Sequence, residues 1–442
     1  MRVYMLVLLT ALAVTMVLTP VVRRMALSLN ILTPLRARDV HAHPIPRLGG
    51  IAMTGGVLAA FALGYAIPYL RPIYQSSPTL WSVAAGTVAI ALLGAVDDVW
   101  ELDWLTKLTG QILISGGMAI GGVQLLSVPI FGVTVGSAWL SVLVSTLILV
   151  AIINAVNFVD GLDGLASGVI AIGSLSFFAY SYILTRLMGA TSYATAAAVV
   201  TVALAGACIG FLWFNFHPAS IFMGDSGAMV LGLLLGSATL IVTGQANPAL
   251  LTEQSVITPW IPVILPLAVL LIPLADLIIT PVLRMAHGRS PMTADRTHLH
   301  DRLLLHGHSH RGVVLIMYSW TTWACAVAVS FLLMPPLIVV AWAVPAAVFI
   351  VLATIFQFPS AAGTPRRRTR GAGVPGGPVA VDDGQTVISR PNLDYLWYPL
   401  SHEKADLESR SSHGVAEVSR PPRSFRPVRE DSAIAEEEND RW

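Results

Sequence analysis

Long apolar runs alternate with short polar links from the first residue to about position 358. A helix needs about 20 consecutive apolar residues to cross a hydrocarbon layer of roughly 30 Å. On that criterion candidates fall near 4–20, 49–69, 80–96, 108–127, 137–156, 165–185, 193–214, 227–244, 258–282, 313–334 and 337–357. The pattern therefore predicts an all-α polytopic membrane protein of about eleven transmembrane helices, since each segment in lipid must satisfy its own backbone hydrogen bonds. The last two spans meet at Pro335 and Pro336 and would form one re-entrant hairpin if that turn does not separate them. No internal repeat is visible.

Composition sharpens this picture. The 442 residues are 55% hydrophobic and only 12% charged, where a soluble domain carries about a quarter charged residues; mean hydropathy is +0.72. A net charge of +1 gives no sign of a nucleic-acid partner. Cys208 and Cys325 both sit inside apolar runs and read as packing residues, not as a disulfide or a metal site. The first run lacks an A-x-A site and is followed at once by Arg23 and Arg24, so it reads as a retained anchor.

Basic residues set the orientation. Arg23, Arg24, Arg36, Arg38, Arg47, Lys107, Arg284, Arg289, Arg296, Arg302 and Arg311 fall on one side, against Arg2, Arg71 and Arg186 on the other. The richer side is cytoplasmic by the positive-inside rule, which puts the N-terminus outside and the C-terminus in the cytoplasm. From about Thr364 the chain turns to Pro, Gly, Ser and charge, so it divides into a membrane domain, 1–358, and a disordered cytoplasmic tail, 359–442. The basic start of the tail, Arg366 to Arg370, would lie against anionic headgroups or act as a plain stop-transfer flank.

The acids do not follow from orientation. Asp39, Asp97, Asp98, Glu101, Asp103, Asp160, Asp163, Asp225, Asp295 and Asp301 all face the cytoplasmic side, Glu253 alone faces out, and Asp276 lies within a span. Topology exerts little pull on carboxylates, so their gathering predicts one polar site on the cytoplasmic face. "NAVNFVDGLDGLA" puts Asn154, Asn157, Asp160 and Asp163 at intervals of three, a slanting ridge if the helix persists, although Gly161 and Gly164 argue against persistence. Its Asn, Asp and Gly content suits oxygen ligation of a hard cation; a polar loop is the bland alternative. Adjacent Asp97 and Asp98 repel unless a cation or a shared proton relieves them. In "FMGDSG", Asp225 opens a helix whose first amides could take phosphate oxygens while the carboxylate holds a metal, although taken alone the motif reads better as a bare N-cap. The loop "DRTHLHDRLLLHGHSHR" holds five His between 298 and 310, with Arg296, Arg302 and Arg311; a phosphate clamp fits better than a zinc site, and an amphipathic surface helix on Leu299, Leu303 and Leu304 is compatible with either. Pro44, Pro46, Gly49 and Gly50 shape the first cytoplasmic loop, "HPIPRLGG".

Taken in order, "HPIPRLGG", "DD" with a downstream Lys, "NAVNFVDGLDGLA", "FMGDSG" and "DRTHLH" resemble the polyprenyl-phosphate N-acetylhexosamine-1-phosphate transferases over residues 1 to about 358. The resemblance implies transfer of GlcNAc-1-phosphate from UDP-GlcNAc to undecaprenyl or decaprenyl phosphate, releasing UMP, with Mg²⁺ as cofactor and Mn²⁺ as an alternative. It implies a multi-pass enzyme of the bacterial plasma membrane feeding a cell-wall or surface glycan. By position Asp225 would be the main metal ligand and Asn157 a second. Asp97 and Asp98 would face the acceptor phosphate, with Lys107 a further catalytic residue; Arg296, His298 and His300 would clamp the diphosphate. Gly161, Leu162, Asp163 and Phe222 would form the nucleoside pocket, with Arg47, Asn154 and Asp160 also binding substrate. Asp97 is read as a base in a single displacement, with Asp98 as a covalent nucleophile the alternative. Asp301 stands where the GlcNAc branch usually has another His, which leaves that position's role open. Phospho-MurNAc-pentapeptide transfer is the second reading and a cation- or proton-coupled transporter the rival from another class; a homodimer stays open. Asp276, between Pro273 and Pro281, would mark a bent span along a groove for the lipid chain, or a packing Asp.

Overall fold

The computed structural model describes residues 1–32, 44–125, 137–188, 193–245 and 299–355, with residues 267, 268, 271, 282 and 285. Among these the helices are α1 (Arg2–Ser28), α2 (Gly49–Ala66), α3 (Arg71–Ser76), α4 (Thr79–Trp100), α5 (Trp104–Ile120), α6 (Ala138–Val159), α7 (Leu165–Met188), α8 (Tyr193–Asn215), α9 (Gly224–Gln245), α10 (Leu299–Leu305), α11 (His310–Leu333) and α12 (Pro336–Ile355). No strand forms among the described residues; there are only two isolated bridges, Leu32 with Pro46 and Arg47 with Phe222.

Nine of these helices are long and apolar enough to cross a membrane, against eleven expected spans. The difference has two sources. Helix α5, over the fourth expected span, is 17 residues long, and of the expected span 258–282 only residues 267, 268, 271 and 282 are described; the tail from 356 onward lies outside the described residues. The Pro335-Pro336 turn separates two full helices of 24 and 20 residues.

Helix α9 is the centre of the bundle. Its apolar window is fully buried, and it packs against α4, α6, α8 and α2. Its sequence is apolar on all faces, as a surrounded helix requires, and rich in small residues that let neighbouring backbones approach. Hydroxyls along the spans return their protons to the preceding turn, as Thr87 does to the Val83 carbonyl and Ser237 to Leu233.

The ends of α4, α6 and α8 and the starts of α2, α5 and α9 converge at one end of the bundle. Two link segments fasten them. The Phe222 N–H donates to the Pro46 carbonyl at 2.9 Å, Gly49 N–H to Phe222 O at 3.0 Å and Gly50 N–H to Met223 O at 2.8 Å. These bonds pin the start of α2 to the start of α9. Helix α4 comes in from the other flank, where a Cβ on Gly94 would lie 2.4 Å from Ser226 Cα and 2.5 Å from Ser226 N. Both are backbone atoms, so the clash cannot be relieved by a rotamer change. Gly94→Val is expected to lower stability by about 1–3 kcal/mol through overpacking, read as a lower apparent Tm in detergent; an unchanged Tm would mean α4 and α9 are not held this close.

Candidate active site

Asp225 occupies the first turn of α9, and what holds that turn comes from another helix. The Asp98 carboxylate, 3% exposed, accepts the Asp225 N–H at 2.8 Å and the Ser226 N–H at 3.1 Å. A carboxylate at the C-terminus of α4 is disfavoured by that helix's own dipole; set against the N-terminus of α9 it is stabilised by the opposite end of another. Gly224 makes this cap accessible: its φ is +71°, and a Cβ there would sit 2.4 Å from Asp98 Oδ2. The amides that the sequence offered to phosphate oxygens are therefore already taken by Asp98.

Asp97 turns the other way. Its Oδ1 accepts the Leu102 N–H at 2.9 Å and its Oδ2 lies 2.7 Å from Lys107 Nζ. The same ammonium reaches Asp225 Oδ1 at 2.8 Å, where Asn157 Nδ2 also donates at 2.6 Å. One cation thus bridges carboxylates from two helices, and an amide from a third steadies one of them. Asp160, half-buried just past the end of α6, is pushed up to about pKa 8 by burial, and then by the charges of Asp225, Asp98 and Asp163. Carboxylates gathered in this way around Lys107 form a site short of positive charge and supplied with hard oxygen donors, the setting a divalent cation such as Mg²⁺ prefers. The Asn157 amide donates to Asp225 as it stands; turned over, it presents its oxygen.

The expected ridge does not form, because α6 ends at Val159. Asn154 and Asn157 remain one turn apart on the helix, with Asn154 donating to Gln111 at 2.7 Å and Asn157 to Asp225. Past Asp160 the link turns, so that Asp163, 3% exposed, meets the loop 215–222: its Oδ2 lies 2.8 Å from His217 Nδ1 and accepts the Ala219 N–H at 3.1 Å. Asn215 completes the clasp, accepting from Gly164 N–H and from Ser167 Oγ, both at 3.1 Å, and donating to the Ile221 carbonyl at 3.1 Å. Helix α11 presses on the same place through the Tyr318 hydroxyl, which donates to the Gly164 carbonyl, and through Arg311, which donates to the His217 carbonyl at 3.1 Å.

Asp163, His217 and His310 bring potential metal-ligand atoms within 4.8 Å of one another. The two rings, however, are stacked, with centroids 4.3 Å apart and planes 19° apart. Planes so nearly parallel do not meet near either ring, so no one ion lies in both, as imidazole ligation needs. The trio is a packed contact between the link and α11.

Of the other sequence-derived candidates, Gly161 is exposed in the turn and Leu162 buried beneath it. Phe222 is tied by its backbone to the Arg47 segment, and the Arg47 guanidinium reaches Glu101 Oε1 at 3.3 Å. Arg296, His298 and Asp276 lie outside the described residues, and only the helical backbone of His300 and Asp301 is described. Sequence reasoning passed over Gln111, Asn215, His217, Tyr318 and the contact roles of His310 and Arg311. A signal existed for two of them: Gln111 is a lone amide one turn beyond Lys107, and Asn215 is a polar residue ending an apolar run.

Known proteins share long stretches of this sequence. The model of glycosyl transferase family 4 matches residues 80–243, which carry Asp97, Asp98, Lys107, Asn157 and Asp225. The chain is 42% identical over 318 residues to a decaprenyl-phosphate N-acetylglucosaminephosphotransferase of Mycolicibacterium smegmatis, covering 71% of this chain and 78% of that one. It is 29% identical over 310 residues to a probable undecaprenyl-phosphate N-acetylglucosaminyl 1-phosphate transferase of Bacillus subtilis, covering 70% and 79%. A phospho-N-acetylmuramoyl-pentapeptide-transferase of Moorella thermoacetica is 35% identical over a shorter stretch of 240 residues, covering 51% and 71%.

Proposed function

Since the chain belongs to glycosyl transferase family 4, with the polyprenyl-phosphate N-acetylglucosamine-1-phosphate transferases, we propose that it transfers GlcNAc-1-phosphate from UDP-GlcNAc to a polyprenyl phosphate and releases UMP. The reaction runs on the cytoplasmic side of a bacterial plasma membrane, with the N-terminus outside, as the division of Lys and Arg indicates. One observation carries the reading: Lys107 bridges Asp97 and Asp225 while Asp98 caps the turn that bears Asp225.

The chemistry asks for positioning and charge control more than for a strong base. A phosphate monoester has its second pKa near 6, so the lipid phosphate is mostly dianionic at neutral pH. Asp225 and Asn157 would hold Mg²⁺, or Mn²⁺ in its place, which when bound offsets the repulsion between a dianion and a diphosphate. Lys107 keeps the two carboxylates together and would leave a positive charge beside the reacting phosphates. Asp97 is fixed by Lys107 and by the Leu102 amide, and would order the incoming phosphate or take a residual proton. Asp98 has both oxygens directed at amides, which favours direct displacement over a phospho-Asp98 intermediate. Gly161, Leu162, Asp163 and Phe222 would form the nucleoside pocket, and Arg296, His298 and His300 the diphosphate clamp.

Purified chain in detergent or nanodiscs, given UDP-GlcNAc and polyprenyl phosphate, is expected to release UMP and form lipid-linked GlcNAc. EDTA should abolish this and Mg²⁺ or Mn²⁺ restore it. Full activity in EDTA would overturn the cation role, and turnover of UDP-MurNAc-pentapeptide in place of UDP-GlcNAc would overturn the donor assignment.

A further inference from the structure

Lys107 and Asn157 reach the same atom, Asp225 Oδ1, from different helices, at 2.8 and 2.6 Å. Their agreement depends on the spacing of α5 and α6, and one contact lies a turn behind each of them. Gln111 follows Lys107 by four residues on α5, and Asn154 precedes Asn157 by three on α6, so each pair shares a helix face. Asn154 Nδ2 donates to Gln111 Oε1 at 2.7 Å and to its own helix's Val150 carbonyl at 2.8 Å. Gln111 has no exposed surface. Its Nε2 has no partner among the described residues, so the bond from Asn154 carries the hydrogen bonding of this buried amide, and parting the two helices would strand its oxygen as well. At the far end of the same seam, the Leu125 N–H donates to Ser145 Oγ at 2.8 Å and Ser141 Oγ donates to the Leu125 carbonyl at 2.6 Å. The seam is thus hydrogen-bonded at both ends, and the near end adjoins the carboxylates.

We propose that Gln111 and Asn154 are a positioning pair that sets the α5–α6 gap so that Lys107 and Asn157 meet on Asp225, and that this pair tunes the affinity of the site for a divalent cation. The inference rests on the reading that Asp225 holds that cation. It gives Asn154 a role through its neighbours and not by touching substrate. The short Asn157 side chain is the sensitive member: a flexible Lys can follow a helix that shifts, whereas an Asn cannot.

The test measures Mn²⁺ binding to the full-length protein in nanodiscs by the paramagnetic resonance of the free ion, without substrates. Gln111→Met keeps the side-chain volume and removes the acceptor; Asn154→Leu does the same for the donor. Each is expected to weaken Mn²⁺ binding about tenfold, the low end of what outer partners of metal ligands contribute. The reciprocal double variant, Gln111→Asn with Asn154→Gln, restores one long and one short amide and is expected to recover most of the affinity. Asp225→Asn separates the two levels. Binding unchanged in Asp225→Asn overturns the cation reading itself. Binding lost there but wild-type in both Gln111→Met and Asn154→Leu overturns the positioning pair, as does a reciprocal variant that keeps the wild-type Tm and recovers nothing.

Discussion

Replacing Asp225 by Asn is expected to lower kcat on the order of 10³-fold, the scale on which a single well-placed electrostatic group acts in a transition state, while leaving the chain folded with a modestly lower apparent Tm. The substituted amide would keep an oxygen for Lys107 and Asn157, so the bonds at 2.8 and 2.6 Å keep their acceptor. The change also takes the carboxylate's charge out of its ion pair with Lys107, a loss only partly offset by less repulsion from the neighbouring acids, so a modest drop in stability is expected. The check is kcat from UMP release alongside the apparent Tm. Turnover near wild type would remove Asp225 from the chemistry; a collapsed Tm would make its role structural.

Asp98→Ala is expected to act through the fold. It strands two buried donors, the amides of Asp225 and Ser226, and a buried donor left without a partner costs about 1–3 kcal/mol. The first turn of α9 then frays at Gly224, carrying Asp225 out of reach of Lys107. Asp98→Asn retains one acceptor oxygen and should fall between wild type and Ala in both Tm and kcat. A covalent nucleophile would behave otherwise: Asn would be as inactive as Ala while its Tm stayed near wild type. Measured together, the two substitutions decide between cap and nucleophile.

Much of this was legible in the sequence because a membrane leaves few options. Windows of apolar residues marked the helices, and the acids Asp97, Asp98, Asp160 and Asp225, grouped without a topological reason, marked the candidate site. What spacing could not give is how helix ends meet. Asp97 and Asp98 are neighbours in sequence, yet one turns to Lys107 and the other to α9, because consecutive residues on a helix point about 100° apart. The interval of three from Asn154 to Asp163 suggested one surface, but α6 stops at Val159, and the four side chains do not share a partner. Asp163 finds His217, 54 residues on, and no local pattern announces such a pairing. Similarly, the His-rich stretch read as a phosphate clamp also supplies His310 and Arg311 as contacts to the loop behind the link.

The most direct measurement follows one phosphorus atom. With UDP-GlcNAc labelled at the β-phosphate, transfer of a sugar 1-phosphate breaks the bond between the two phosphates, so the label must appear in the lipid product and the released nucleotide must be unlabelled UMP. Label remaining with the nucleotide, released as UDP, would mean that only the sugar moves, and the site built on Asp225, Lys107 and Asp97 would not be performing phosphoryl transfer.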